Sequence, residues 1–236
     1  MGRELVLPPG GSVWTALLTD VEIFGRYIGN ILAPINLSFF YAVEPIRSPG
    51  DPRLWLYGAM LVAVCGGSIW AAGPPYRRLA ALGVFWFFGA LGPNANLVGI
   101  PFWMQDRYAY LSAAGLLLAV GAGLMGLAQR LRISDSNWTR IAWAWPVAIA
   151  LAAGVRSPLF ADVNRLILDA VERQPGSAMA RLCAAMLCKE RFHRYSVNGE
   201  QPNPRLAEIS GKTAIDLYSN IAVSYTHLTL PTNREV

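Results

Sequence analysis

The chain has 236 residues, 54% of them hydrophobic and only 15% charged, with eight tryptophans and a net charge of +5 from 20 Lys+Arg against 15 Asp+Glu. That balance, with a positive mean hydropathy, excludes an ordinary soluble domain and makes the bilayer the natural solvent. The arginines fall mostly between apolar runs, as residues facing lipid headgroups do, and no basic patch interleaved with aromatics marks a nucleic-acid partner.

Residues 1–11 combine a charged start with a short apolar stretch ending in Leu-Pro-Pro-Gly-Gly. They lack the apolar core of a signal peptide, so the chain is expected either to begin outside the membrane or to begin artificially. Residues 21–41 mix Phe24, Tyr27, Ile31, Leu32, Phe39 and Phe40 with Arg26, Asn30 and Asn36, and Pro34 interrupts them. This reads as a surface-lying helix followed by a dipping segment, a fifth crossing being the alternative, and 1–52 is expected to form an extracytoplasmic or interfacial segment.

A transmembrane bundle is expected over 53–156. The uncharged run 54–72 is about 28 Å long as a helix, matching a hydrocarbon core of about 30 Å. The run 76–91 is dense in aromatics, with Phe85, Trp86, Phe87 and Phe88 together and Tyr76, Arg77 and Arg78 as interfacial anchors. In 108–128, Gly115, Gly121, Gly123 and Gly126 suggest close packing on neighbouring helices. The fourth segment, 141–155, is short and is introduced by Trp138, Trp143 and Trp145 at an expected interface. Arg77 and Arg78 lie in the first connection and Arg130, Arg132 and Arg140 in the third, whereas the second carries only Arg107. The positive-inside rule then makes the first and third connections cytoplasmic. Both chain ends and the 93–107 loop fall on the far side, the periplasm of a bacterial inner membrane or the lumen of a eukaryotic compartment.

Beyond Arg156 the pattern changes. Val163, Leu166, Ile167, Ala170 and Val171 share one helical face, and Met179, Leu182, Cys183, Met186 and Leu187 repeat the spacing after Pro175-Gly176. The region 157–222 is therefore expected to start an extracytoplasmic helical repeat of tetratricopeptide-like hairpins, although one hairpin sets no period. A further helix is expected over 212–222. Residues 223–236 lose the helical period, and 223–233 resembles the translation of a transposon adapter from shotgun sequencing. That tail is set aside from fold reasoning, and the natural chain is expected to continue past about residue 222.

Little here suits metal or histidine chemistry. Cys65 sits in an apolar run, Cys183 and Cys188 point in different directions, and all three read as small hydrophobes. With His227 in the tail, His193 is the one usable histidine, and no cofactor or metal is expected. The triplets Asn36-Leu37-Ser38 and Asn137-Trp138-Thr139 match glycosylation sequons that arise often by chance, and neither is given a role.

The informative segment is 91–111. Asp106, Arg107, Tyr108 and Tyr110 sit at a membrane boundary, where an arginine fork can hold a phosphate and tyrosines add hydrogen bonds at headgroup depth. Simple interface anchoring, with Asp106 neutralising Arg107, is the competing reading. Pro93-Asn94-Ala95-Asn96-Leu97, followed by Asp106-Arg107-Tyr108-Ala109-Tyr110-Leu111-Ser112, resembles the loop and helix start of the transmembrane and tetratricopeptide-repeat O-mannosyltransferase family and its bacterial relatives. Arg26-Tyr27, with Pro34-Ile35-Asn36-Leu37-Ser38-Phe39-Phe40-Tyr41, resembles an upstream segment of that family, and the resemblance covers roughly residues 24–171. Ser112-Ala113 departs from the family's Pro-Ser pair.

The resemblance implies an all-α, multi-spanning GT-C fold that moves a sugar from a polyprenyl phosphate to a protein hydroxyl outside the cytoplasm, with tetratricopeptide repeats after the last crossing. It implies that Arg107 stabilises the leaving lipid phosphate, with Asp106, Tyr108, Tyr110, Asn94 and Asn96 shaping the site. The partners so implied are membrane lipid, the sugar donor and a protein acceptor. The family's catalytic acid belongs to an earlier loop with no counterpart here, so neither Asp20 nor Glu22 is nominated, and the chain is expected to be inactive alone. The alternatives are a non-enzymatic membrane anchor displaying a helical-repeat module, and a lipid-sugar ligase of polysaccharide assembly.

Overall fold

The computed structural model describes residues 8–35, 37–97, 102–196, 201 and 203–229, with the side chains of 135, 141 and 220–229 left out of the description. Residues 1–7 of the N-terminal segment, Asn36 of the first sequon and 230–236 of the tail lie outside it. The described residues are all-α and fall into two compact units, one within 1–37 and 43–155 and the other within 38–42 and 156–236.

In the first unit, helix α1 (Val13–Leu32) starts where the Ser12 side chain accepts the Thr15 amide at 3.1 Å. It ends at Leu32, because Ala33 precedes Pro34 and is steered out of the helical region. Asp51 caps α2 (Pro52–Leu61) through the Arg53 amide, with Pro52 at the first helical position where its missing N–H costs nothing. One π-helical stretch, Val62–Gly66, joins α2 to α3 (Gly67–Leu91). Then come α4 (Asp106–Arg130) and α5 (Asp135–Arg156).

Three helical runs are long and apolar enough to cross a membrane: Pro52–Asn94, Asp106–Arg130 and Ser136–Ala161. The first, 43 residues long, is folded back on itself. Gly73 has φ 64° and ψ −178°, a conformation suited to glycine, and is followed by Pro74 and Pro75. Before it, Ser68 and Ala72 approach Gly123 and Gly126 of α4; after it, Gly83 and Phe87 approach Ala119 and Gly115, so the chain runs up α4 and returns. The far ends agree, since Tyr57 lies against Gly25 and Phe88 against its neighbour Phe24. The run therefore supplies two antiparallel legs, 52–72 and 74–91, about 31 and 27 Å long. Arg77 and Arg78, expected in a connection, lie within the second leg, and the connection shrinks to a tight reversal.

Packing between α4 and both legs is backbone-close. A Cβ added at Gly126 would overlap the carbonyl oxygens of Ala71 and Ala72, and one at Gly123 would stand 2.9 Å from the Ser68 Cα. Ala72, Ala80 and Ala122 form the buried cluster beside them, with Ile69 and Tyr76 packed on it. Apolar tails gain nothing by leaving lipid for other apolar tails, so small residues that bring helices into close contact supply the association energy. Helix α4 ends in a Schellman motif: Ile133 donates to the Ala128 carbonyl and Arg132 sits at φ 52°.

In the second unit, α6 (Val163–Arg173) is capped by Asp162 through the Asn164 amide at 2.9 Å, and α7 (Ala178–Tyr195) by Ser177 through the Ala180 amide at 3.3 Å. The turn at Pro175-Gly176 lies between them, as the sequence spacing implies. The buried face of α7 differs from the expected one: Ala180, Ala184 and Ala185 are buried, whereas Met186 is exposed, as is Val163 on α6. Helix α7 packs on both α6 and α8 (Pro204–Thr229), and alanines admit two close neighbours where one methionine–leucine stripe would serve only one. Helix α8 begins eight residues before the expected 212 and runs past 223, so the expected loss of helix at 223 is not seen before Thr229. Cys65, Cys183 and Cys188 are free thiols, and among the described residues no cluster suits a metal ion.

Candidate functional site at the start of helix α4

The N-terminal end of α4 lies at one end of the first unit, together with the start of the first leg, the end of the second, and α1. The segment joining the second leg to α4 begins with the turn Gly92–Asn94, and its described parts are held by α1 at three points.

The first point is Asp20, which is 4% exposed. Its carboxylate accepts the Asn96 side-chain amide at 2.7 Å and the Asn96 backbone N–H at 3.1 Å, and the same side-chain amide donates to the Trp103 carbonyl at 3.1 Å. Asn96 thus ties the loop to α1 and across to itself. Burial raises the Asp20 carboxyl above its ordinary range, against the lowering influence of the Asn96 bonds.

The second point is Tyr27, 2% exposed, whose hydroxyl donates to the Gln105 carbonyl at 3.0 Å and accepts the Gln105 backbone N–H at 3.1 Å. Gln105 is the N-cap residue of α4, and its carbonyl also receives the Tyr108 N–H that opens the helix. Burial pushes the Tyr27 phenol far up, so it stays protonated and remains a donor. The third point is Asn30, whose amide donates to Asp106 Oδ1 at 3.2 Å.

Positions 20, 27 and 30 lie on one side of α1, because seven residues make nearly two turns and three more add most of another. Glu22 points elsewhere on the helix. Fully buried, it pairs with Arg26 at 2.5 Å and Arg53 at 3.4 Å, and Arg53 also grips Asp51 at 2.7 Å. That cluster fastens α1 to the start of the first leg. Thr19 completes the attachment by accepting the Ile46 backbone N–H at 2.9 Å.

The expected site residues separate into two groups. Asn96 is fully buried and Asp106 is bonded to Asn30, so both serve the attachment of the loop to α1. Arg107 is exposed in the first turn of α4, with its guanidinium 5.3 Å from the Tyr108 ring centroid, and Tyr110 is 77% exposed. Tyr108 is partly buried, as is Asn94 in the Gly92–Asn94 turn. Asp106 is oriented by Asn30, a partner far from it in sequence.

Arg107 presents a planar cation beside the Tyr108 phenol, a combination suited to binding a phosphate. Asp20, Tyr27, Asn30 and Gln105 were not among the expected site residues. Asp20, Tyr27 and Asn30 recur at helical spacing in the sequence, but Glu22 and Arg26 on the same helix blur that signal. The sequence matches no family model, and comparison with curated proteins and with solved structures found no match.

Proposed function

We propose that this chain is the lipid-phosphate-binding part of a GT-C-type glycosyltransferase that takes a sugar from a polyprenyl phosphate and gives it to a protein hydroxyl outside the cytoplasm. The observation that carries the reading is the exposed Arg107, stacked by Tyr108 in the first turn of a candidate spanning helix whose start is fixed by buried hydrogen bonds. In the reaction the acceptor oxygen bonds to the anomeric carbon, the bond from that carbon to the phosphate oxygen breaks, and the acceptor proton is lost. Negative charge grows on the departing phosphate. A guanidinium already placed beside it stabilises that charge more in the transition state than in the bound donor.

The role of proton acceptor is assigned to no residue of this chain. In orientation, the end bearing Arg107 faces away from the cytoplasm. Supporting this, the opposite end of α4 carries Arg130 and Arg132 near the reversal at Gly73, with Arg77 and Arg78 just beyond it, in keeping with the positive-inside rule. The helices after Arg156 are the start of a tetratricopeptide-like module that presents the acceptor.

A second reading, a non-enzymatic anchor displaying that module, is favoured by the internal use of Asn96 and Asp106, whose side chains bond within the fold. Titrating a polyprenyl monophosphate into the chain in neutral-lipid nanodiscs separates the two. The enzyme reading expects Arg107→Ala to weaken binding about tenfold or more, and to lower turnover in the full-length enzyme. Unchanged affinity and turnover would remove the assignment and leave the anchor.

A further inference from the structure

We infer that Tyr27 is a positioning residue for Arg107: one buried phenol sets where α4 begins and so where the phosphate-binding guanidinium stands. The inference rests on the phosphate-binding reading of Arg107 above and adds to it a residue 80 positions earlier in the chain.

The geometry is specific. A side-chain hydroxyl usually meets one backbone group, whereas the Tyr27 hydroxyl meets both the carbonyl and the N–H of one residue, Gln105. That residue is the N-cap of α4, and its own side chain makes no capping bond. The N-cap sets the phase of the helix, because the first intrahelical bond runs to its carbonyl. Fixing Gln105 therefore fixes the direction of Arg107 two residues later. The ring is 2% exposed and Ile23 and Ile28, close by on α1, are 1% exposed, so the phenol has little room to move. Asn30, one turn further along α1, bonds Asp106 and supports the same helix start from a partly exposed position.

Removing the Tyr27 oxygen leaves the Gln105 N–H buried without a partner and its carbonyl held by the Tyr108 N–H alone. The helix start then moves to find water or new partners. Arg107 keeps its charge but loses its fixed place.

The experiment uses the whole chain in phosphatidylcholine nanodiscs, titrated with a polyprenyl monophosphate, for wild type, Tyr27→Phe, Arg107→Ala and the double variant. Hydrogen exchange over 102–108 is read in parallel. The expected result is that Tyr27→Phe weakens binding about 3- to 10-fold, the range of one or two hydrogen bonds, speeds exchange over 102–108, and has no further effect once Arg107 is alanine. Equal weakening in both backgrounds would mean that Tyr27 serves only general stability, and would overturn the inference. So would wild-type affinity in Tyr27→Phe while Arg107→Ala still loses binding, a result that leaves the phosphate reading intact. Wild type and Arg107→Ala binding equally would overturn both. If Tyr27→Phe does not fold, Asn30→Ala carries the same cycle, and its having no effect on affinity with Arg107 present would overturn the inference as well.

Discussion

The close contact of α4 with the second leg tests the folded-back arrangement of the 43-residue run directly. At Gly115 an added Cβ would stand 2.6 Å from the Gly83 carbonyl oxygen, 2.7 Å from the Phe87 nitrogen and 2.8 Å from Trp86 Cδ1. Two of these are backbone atoms that no rotamer change can move. Reaching ordinary contact requires α4 and the second leg to part by roughly 0.8 Å, which forfeits a quarter to a half of the dispersion energy along the contact. Overpacking of this kind costs about 1–3 kcal/mol. Gly121 is the internal control, because a Cβ there meets nothing within 4 Å. Both substitutions gain the same helix propensity, about 0.5–1 kcal/mol for alanine over glycine, so their difference isolates the contact. In thermal melts followed by tryptophan fluorescence in one detergent, Gly115→Ala is expected to melt about 2–12 °C below Gly121→Ala, from about 2–4 °C per kcal/mol for a chain of this size. Gly83→Ala, whose Cβ would stand 2.6 Å from both Ala119 N and the Gly115 carbonyl oxygen, should fall with it. Equal melting of Gly115→Ala and Gly121→Ala would refute the antiparallel contact, and with it the reversal at Gly73.

Two further expectations concern single residues. Asp20 is held above its ordinary range by burial, so its contribution to stability is fully present below its unfolded value of about 4, is lost as pH rises through the elevated folded value, and is level above that. Melting temperature measured against pH should therefore decline over that window in wild type and decline less in Asp20→Asn; identical profiles would contradict the buried placement. Arg132 occupies the left-handed position of the α4 C-terminal cap at φ 52°, so Arg132→Gly should stabilise the chain by up to about 1 kcal/mol, and a lower melting temperature in that variant would count against the cap.

Much of the bundle was legible because the signals that build it are local. Apolar run length marks 54–72, 76–91 and 108–128, and the gap between the first two holds Gly73-Pro74-Pro75, a breaker by composition. Its sharpness was less evident, since proline tolerates several exits from a helix, and only contacts on both sides of α4 reveal a full reversal. The exposed part of the site, Arg107 and Tyr110, was visible for the same reason: charge and phenol at the start of an apolar helix stand out. The attachment to α1 was hidden. The partners of Asp20, Tyr27 and Asn30 lie 76 to 78 residues away, and no local pattern encodes such pairings. Asp20 and Glu22 were nominated for no role from the sequence, yet both are buried, one bonded by an amide and the other ion-paired with two arginines. In α7 the larger residues suggested the buried face, but two flanking helices select alanine.

The central claim is that the start of α4 binds a lipid phosphate. A photoactivatable polyprenyl monophosphate, with its reactive group on the isoprene unit next to the phosphate, tests it in nanodiscs by mapping the crosslinked peptides. The account predicts labelling within 102–112, competed by unlabelled polyprenyl phosphate, not by the corresponding alcohol, and lost in Arg107→Ala. Labelling spread evenly along the lipid-facing helices, or unaffected by Arg107→Ala, would contradict it.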